Sequence, residues 1–336
     1  MITRKENITA ENLKKEMQAI ADRMYLPHAD DALRFPKFFQ IETTRICNAR
    51  CPFCAIDQWD KSVPMMSDKL FEKIITEMAE YNDWIEFVAV QRAGEPLLDK
   101  KIVARVRALK EIGIKKVSMS TNASMLTEQK STDLLEAGLD EMMLSIDSID
   151  KDTYQQMRVG LDFETVIQNI RTFFRVRDRI KADVVVRVRG VSFHRIDDSG
   201  DRTEMIRWER FWDEIKRPHD RIYLKRAHNW GNQVEWKGHM PVYDAVYHPC
   251  ILPWSTMHVT AMGKVPLCPQ DYDAKMNIGD VNIHSIAEIW KNENWTRIRE
   301  LHKGGKRNQI SFCQGCKLFD LENSLEKWQE KQLYEG

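Results

Sequence analysis

The residues best equipped for chemistry are the cysteines. Cys47, Cys51 and Cys54 lie in one short run, TTRICNARCPFCAI, just past the strand-like segment FFQIETT. Three thiolates on one loop can hold one face of a metal cluster. A cubane [4Fe–4S] cluster ordinarily takes four cysteines, so three leave one iron with an open position. In catalytic zinc sites a missing protein ligand likewise marks where substrate or cofactor binds. The other cysteines, Cys250, Cys268, Cys313 and Cys316, make a complete ligand set for a second cubane, with none of the seven left over. A competing reading joins the C-x-x-C pairs Cys51/Cys54 and Cys313/Cys316 in a structural zinc site. In zinc ribbons such pairs are close in sequence, whereas here most of the chain separates them.

A cluster loop needs a rigid support, and residues 36–230 read as a repeating one. Strand-like runs fall at 38–44, 86–91, 116–121, 141–147, 183–193 and 221–228. Between them Leu70, Phe71, Ile74, Ile75 and Met78 share one helical face that starts near Ser67 as N-cap. Ile102, Val103, Val106, Leu109 and Ile112 mark a second helix, ended by Gly113 in the C′ position. Val166, Ile167, Ile170, Phe173 and Phe174 mark a third. Strands alternating with helices of this length imply βαβ units and a parallel sheet, hence an α/β fold. Six such units suit a partial (β/α)6 TIM-like barrel, in which chemistry sits at the C-terminal ends of the strands.

Those ends carry polar groups. The second strand runs into QRAGEP, the third into Ser120-Thr121-Asn122 and the fourth into Ser145-Ile146-Asp147. The fifth and sixth run into VVVRVRGVSFH and YLKRAHNWGN, which offer Arg187, Arg189, His194, Lys225, Arg226, His228, Asn229 and Asn232. Alternation puts Arg187 with Arg189 on one face and Arg226 with His228 on one face. The pattern suits a polar, hydrogen-bonding substrate, and Arg189, His228 and Asn229 are its candidate contacts.

At 336 residues the chain has room for about two domains. Acidic and basic residues balance at 51 each, so no net field recruits nucleic acid or an anionic membrane surface. The N-terminus has no apolar signal region and no run approaches a membrane span, so the expected location is cytoplasmic. There thiols stay reduced, which favours metal ligation over disulfides.

The spacing Cys47, Cys51, Phe53, Cys54 resembles the signature of the radical S-adenosylmethionine (SAM) superfamily: cysteine, three residues, cysteine, one residue, an aromatic, cysteine. Gly94-Glu95-Pro96 resembles that family's GGEP motif, which holds the SAM amino group, with Ala93 in place of the first glycine. The resemblance implies that Phe53 packs on the adenine, that Ser120 and Asn122 line the cofactor site, and that Ser145 and Asp147 reach the ribose and carboxylate. It also implies that Arg158, in TYQQMRVG, binds the SAM carboxylate. The context of the late cysteines, CILPWSTMHVTAMGKVPLC, NIGDVNIHSIAEIW and CQGC, resembles the SPASM/twitch extension, whose twitch form uses four cysteines for one auxiliary cluster.

The resemblance implies two [4Fe–4S] clusters and SAM as cofactors, and a one-electron donor such as flavodoxin or ferredoxin as partner. Its chemistry is reductive cleavage of SAM to a 5′-deoxyadenosyl radical that abstracts hydrogen from substrate. It divides the chain into an N-terminal helical extension (1–35), a radical SAM core (36–235), a twitch domain (236–320) and a helical tail (321–336). The pattern is most similar to twitch-type enzymes acting on carbohydrates or aminocyclitols. Oxidation of a sugar, nucleoside sugar or aminocyclitol is therefore expected, with the auxiliary cluster taking the second electron and Arg226 assisting deprotonation. Epimerisation, dehydration or decarboxylation of a related sugar, and peptide modification, are the enzymatic alternatives. Peptide-maturing relatives carry a leader-binding domain, for which the 46 residues before Cys47 are too few. An iron–sulfur or zinc-stabilised binding protein is the non-enzymatic one.

Overall fold

The computed structural model describes residues 9–192, 199–226, 248–314 and 316. Its strands are β1 (Phe38–Ile41), β2 (Phe87–Ala89), β3 (Val117–Thr121), β4 (Glu141–Ser145), β5 (Val185–Ser192), β6 (Arg221–Arg226), β7 (Thr256–Val259), β8 (Lys264–Pro266) and β9 (Asn277–Asp280). Its helices are α1 (Ala10–Arg23), α2 (Asp68–Ala79), α3 (Ile102–Glu111), α4 (Glu128–Glu136), α5 (Lys151–Met157), α6 (Phe163–Arg179), α7 (Ser199–Trp212), α8 (Leu252–Ser255), α9 (Ile286–Trp290) and α10 (Glu293–Lys303). Parallel strands alternate with helices in the manner of a partial TIM-like barrel, followed by a small C-terminal region. Two compact units share these elements. One uses the described residues of Glu42–Met65 and Phe87–Ala227, the other those of Met1–Ile41, Met66–Glu86 and His228–Asp320.

In the first unit β2 to β6 lie side by side in chain order, all parallel. Val184, Val186 and Val188 are buried while Val185, Arg187 and Arg189, which alternate with them, are half-buried, the period-2 alternation of a strand. Helix α6 begins where Asp162 accepts from Thr165 N at 2.8 Å, and buries Val166, Ile170, Phe173 and Phe174. Its Arg177 donates to Asp220 Oδ2 at 2.6 Å, and Asp220 Oδ1 accepts from Val186 N at 2.9 Å. That buried pair ties the helix to the start of β5.

In the second unit β1 pairs in parallel with β7, Phe38 opposite Thr256 and Ile41 opposite Val259. β7 was not expected from the sequence. It is four residues long and buried on both faces, so it shows no alternation to read. β8 and β9 form an antiparallel pair. The core holds Trp254, Trp290, Trp295, Phe35 and Phe39, and Trp290 Nε1 donates to Ala32 O at 2.9 Å. Ser67 caps α2, accepting from Leu70 N at 3.2 Å, and Gly113 follows α3 at φ +90°, both as the sequence leads one to expect. The first strand stops three residues short of its expected end, because Thr44 turns to bridge Met65 instead. Among the described residues no helix is long and apolar enough to cross a membrane.

Candidate functional site

Two centres of thiol chemistry emerge, one in each unit. The first is the loop after β1. Its base closes where Arg45 N donates to Pro64 O at 2.8 Å and Thr44 Oγ1 to the same oxygen at 3.1 Å. Beneath it lies a buried ion triad, with Glu42 reaching Arg45 at 3.1 Å and Arg92 at 2.8 Å and all three side chains at most 1% exposed. The turn after β2 packs on the same root. Glu95 N donates to Ile46 O at 2.8 Å, and Gly94, at φ +74°, leaves no room for a Cβ.

Within the loop, Cys47, Cys51 and Cys54 feel one another electrostatically, and burial pushes all three thiols up, Cys47 to about 11 and Cys54 to about 12. Metal-free, they are neutral thiols. Asn122 Nδ2 lies 3.9 Å from Cys47 Sγ, and Arg158 Nη1 lies 3.7 Å from Cys51 Sγ. The loop is also held from the α5–α6 turn, where Val159 O accepts from Arg50 N at 2.8 Å.

The strand ends place most of the residues anticipated for SAM around this loop. Glu95 is fully buried, and its oxygens accept from Thr121 Oγ1 at 2.6 Å, Asn122 N at 2.8 Å and Leu97 N at 3.1 Å. Burial raises its pKa and those donors oppose the rise. Its carboxylate therefore braces the end of β3. Pro96 is buried at the first position of the short turn that Glu95 caps. Arg158 pairs through Nε with Asp147 Oδ2, and its guanidinium carbon stands 5.6 Å from the Phe53 ring centre. Ser120 Oγ lies 3.3 Å from Ser145 Oγ, to which Arg189 Nη2 donates at 3.3 Å. The register sets Ser145, Arg189 and Tyr223 in one row.

Two buried polar atoms near this row have no hydrogen-bond partner among the described residues: Asp147 Oδ1 and the hydroxyl of Tyr154. Asp147 is also held at φ +63°, a conformation that a non-glycine residue adopts only when its surroundings enforce it. Orphaned buried acceptors and donors call for a ligand or water. A zwitterionic, hydroxyl-bearing cofactor such as SAM fits them, and three thiols with one cluster position to spare fit its cluster. Tyr154 escaped the sequence reading, although its place four residues before Arg158 on a helix was the available signal.

The second centre is a cavity of about 390 Å³, part of it open to solvent, lined by Cys250, Cys268, Cys313 and Cys316 with His302 and Arg307. Cys268 follows β8 in a turn that Asp271 organises by accepting from Lys275 N and Met276 N at 2.8 Å each. Arg307 donates to the carbonyls of Cys313 at 3.3 Å and Cys316 at 2.6 Å. Burial pushes Cys250 to about 11 and Cys268 to about 12, and lowers His302 to about 3, with the Arg307 charge adding to the latter. Among the described residues no group of His, Cys, Asp or Glu closes on a point that a single ion could take. Four thiols spread around a cavity suit a larger group, an iron–sulfur cluster, better than zinc. His302 and Arg307 carried no signal in the sequence. The side chain of Arg226, and His228 and Asn229 altogether, lie outside the described residues.

Comparison with known proteins agrees with both centres. The chain matches the Radical SAM superfamily over residues 41–201 and an iron–sulfur cluster-binding domain, SPASM, over residues 250–317. It is 29% identical over 198 residues to a GTP 3′,8-cyclase of Picosynechococcus, covering 56% of this chain and 60% of that one. It spans about half the length of the curated relatives it matches. Its fold is similar to that of BtrN in complex with AdoMet and 2-DOIA, at TM-score 0.57 and 18% identity over 84% of this chain and 93% of BtrN. It is also similar to that of Streptococcus suis SuiB bound to the precursor peptide SuiA, at TM-score 0.63 and 15% identity over 90% of this chain and 72% of SuiB. With its three-cysteine loop at the strand ends and four thiols around a C-terminal cavity, the chain belongs to the radical SAM superfamily and carries a SPASM-type iron–sulfur domain.

Proposed function

We propose that the protein oxidises a polar small molecule, a sugar, nucleoside sugar or aminocyclitol, by two electrons, consuming one SAM per product. The observation that carries the oxidative outcome is the gathering of all four C-terminal thiols on one cavity. With three cysteines in the loop and four here, none is left to return a hydrogen atom to a substrate radical. Four thiolates also leave no open position on the cluster they hold, which suits passing an electron rather than binding substrate.

When bound, the loop cluster with SAM supplies a hydrogen-abstracting 5′-deoxyadenosyl radical, and the four-thiolate cluster supplies a one-electron acceptor. Cys47, Cys51 and Cys54 hold the first group, with N–H donors of Asn122 and Arg158 beside two of the sulfurs. Asp147 Oδ1 and the Tyr154 hydroxyl, both buried, receive polar atoms of SAM, and Phe53 offers its ring to the adenine. Arg189, half-buried beside Ser145, meets a substrate hydroxyl. Guanidinium has no lone pair with which to accept a proton, so any help from Arg226 in deprotonation is electrostatic. The division into a 36–235 core and a 236–320 auxiliary-cluster domain belongs to the same proposal, as does an external one-electron donor.

A second reading, cyclisation of a nucleotide without net oxidation, is favoured by the identity to a GTP 3′,8-cyclase. Anaerobic turnover with SAM and dithionite in deuterated water separates the two. A panel of aminocyclitols, sugars, nucleoside sugars and GTP is offered and the products are weighed. We expect 5′-deoxyadenosine together with a product two mass units below its substrate. An isomeric product bearing one carbon-bound deuterium overturns oxidation in favour of epimerisation, and an isomer formed from GTP establishes the second reading.

A further inference from the structure

His302 has its proton fixed by its partners. It lies in the last turn of α10, is 1% exposed, and stands edge-on to Trp254 with ring centres 6.1 Å apart. Its Nδ1 accepts from Cys250 N at 3.0 Å. A ring nitrogen that accepts carries no proton, so the single proton of the neutral ring sits on Nε2. Nε2 lies 3.8 Å from Cys313 Sγ.

We propose that His302 is a positioning residue of the auxiliary centre, anchoring Cys250 through one ring nitrogen and donating an N–H to the Cys313 sulfur through the other, which raises the reduction potential of the cluster. The inference rests on the reading of the four cysteines as a cluster set. Reduction adds negative charge to the sulfurs, so a donor aimed at one of them stabilises the reduced form more than the oxidised one. Arg307 works in the same direction, its buried guanidinium set behind the backbone of Cys313 and Cys316. An electron acceptor placed at this centre is thereby made easier to reduce.

Two variants separate the two nitrogens. In His302→Asn the side-chain oxygen can replace Nδ1 as acceptor for Cys250 N, while the donor to sulfur is lost. In His302→Gln the amide nitrogen can replace Nε2, and the donor is kept. Both are made in the full chain with Cys47, Cys51 and Cys54 replaced by alanine, so that any iron–sulfur signal comes from the C-terminal set. Redox titration followed by electron paramagnetic resonance should show His302→Asn about tenfold harder to reduce, ~59 mV lower for one electron, with His302→Gln close to the parent. An unchanged potential in His302→Asn at full iron content overturns the inference. A parent that binds no iron overturns instead the reading of the four cysteines. A second measurement on the parent needs no variant to fold: with ¹⁵N-labelled histidine, pulsed resonance should detect a histidine nitrogen coupled to the reduced cluster, and no coupling also overturns the inference.

Discussion

Replacing Gly94 by alanine tests whether the cysteine loop is built against the turn that follows β2. At φ +74° an L side chain costs about 1–2 kcal/mol. The added Cβ would meet Thr44 O at 2.6 Å and Ile46 O at 2.7 Å, both main-chain atoms that cannot swing aside as a side chain can. Overpacking of that kind typically costs about 1–3 kcal/mol. We therefore expect Gly94→Ala to destabilise the fold by about 2–5 kcal/mol. The relief open to the structure is a shift of the loop root, which loosens the bond from Glu95 N to Ile46 O and displaces Cys47, the next residue.

Urea denaturation of the metal-free chain would read the first effect, and iron bound after anaerobic reconstitution the second. Ala93→Gly is the control. Ala93 is buried beside Gly94, and removing its methyl should cost only about 0.5–1 kcal/mol through backbone entropy. A Gly94→Ala protein that unfolds at the wild-type urea concentration and loads its full iron would refute the packing argument.

Alanine at Cys47, Cys51 or Cys54 should abolish reductive SAM cleavage. Alanine at Cys313 or Cys316 should leave some uncoupled 5′-deoxyadenosine while product formation fails. If both groups of variants kept full turnover, the assignment of two clusters would be wrong. Reconstituted wild-type chain should carry about eight irons, four for each of two cubanes; stoichiometric zinc with negligible iron would sink the whole reading. Glu42→Gln removes the carboxylate that pairs with both Arg45 and Arg92 inside the buried triad and should cost about 3–5 kcal/mol in denaturant titrations. A loss below 1 kcal/mol, or about that, would show that the triad does not hold the loop root.

What was legible in the sequence followed from local rules. The periodic faces of α2, α3 and α6, the Ser67 cap and the Gly113 stop were readable because each depends on near neighbours along the chain. The three-cysteine loop was readable for the same reason, since Cys47, Cys51 and Cys54 lie in one short run, whereas Cys250, Cys268, Cys313 and Cys316 are spread along the chain and were grouped by their number and by resemblance to the SPASM/twitch extension. What was not legible depends on distant pairing. β7 reads as four buried residues with no periodicity and makes sense only against β1, more than two hundred residues earlier. The triad around Glu42 joins residues fifty positions apart. Glu95 was readable as an acceptor in a turn, but its use by Thr121 and Asn122 required β3 to lie beside β2.

The two thiol centres solve one physical problem in the same way and end differently. Burial raises the thiol pKa of Cys47, Cys51 and Cys54 in one and of Cys250, Cys268 and Cys313 in the other, because a thiolate without a compensating charge is costly in a protein interior. Each then aims N–H donors at or near its sulfurs, Asn122 and Arg158 in one, His302 with Arg307 behind it in the other, ready for the negative charge that ligation creates. The difference lies in the ligand count. The loop stops at three thiols, and beside it Asp147 Oδ1 and the Tyr154 hydroxyl are buried with no hydrogen-bond partner among the described residues, which suits a site that accepts a further molecule. The cavity gathers four, with a carbonyl clamp from Arg307 across the last pair. An open set beside unsatisfied polar groups favours chemistry on a bound cofactor, and a closed set favours holding an electron. That contrast within one chain supports oxidation over a redox-neutral rearrangement.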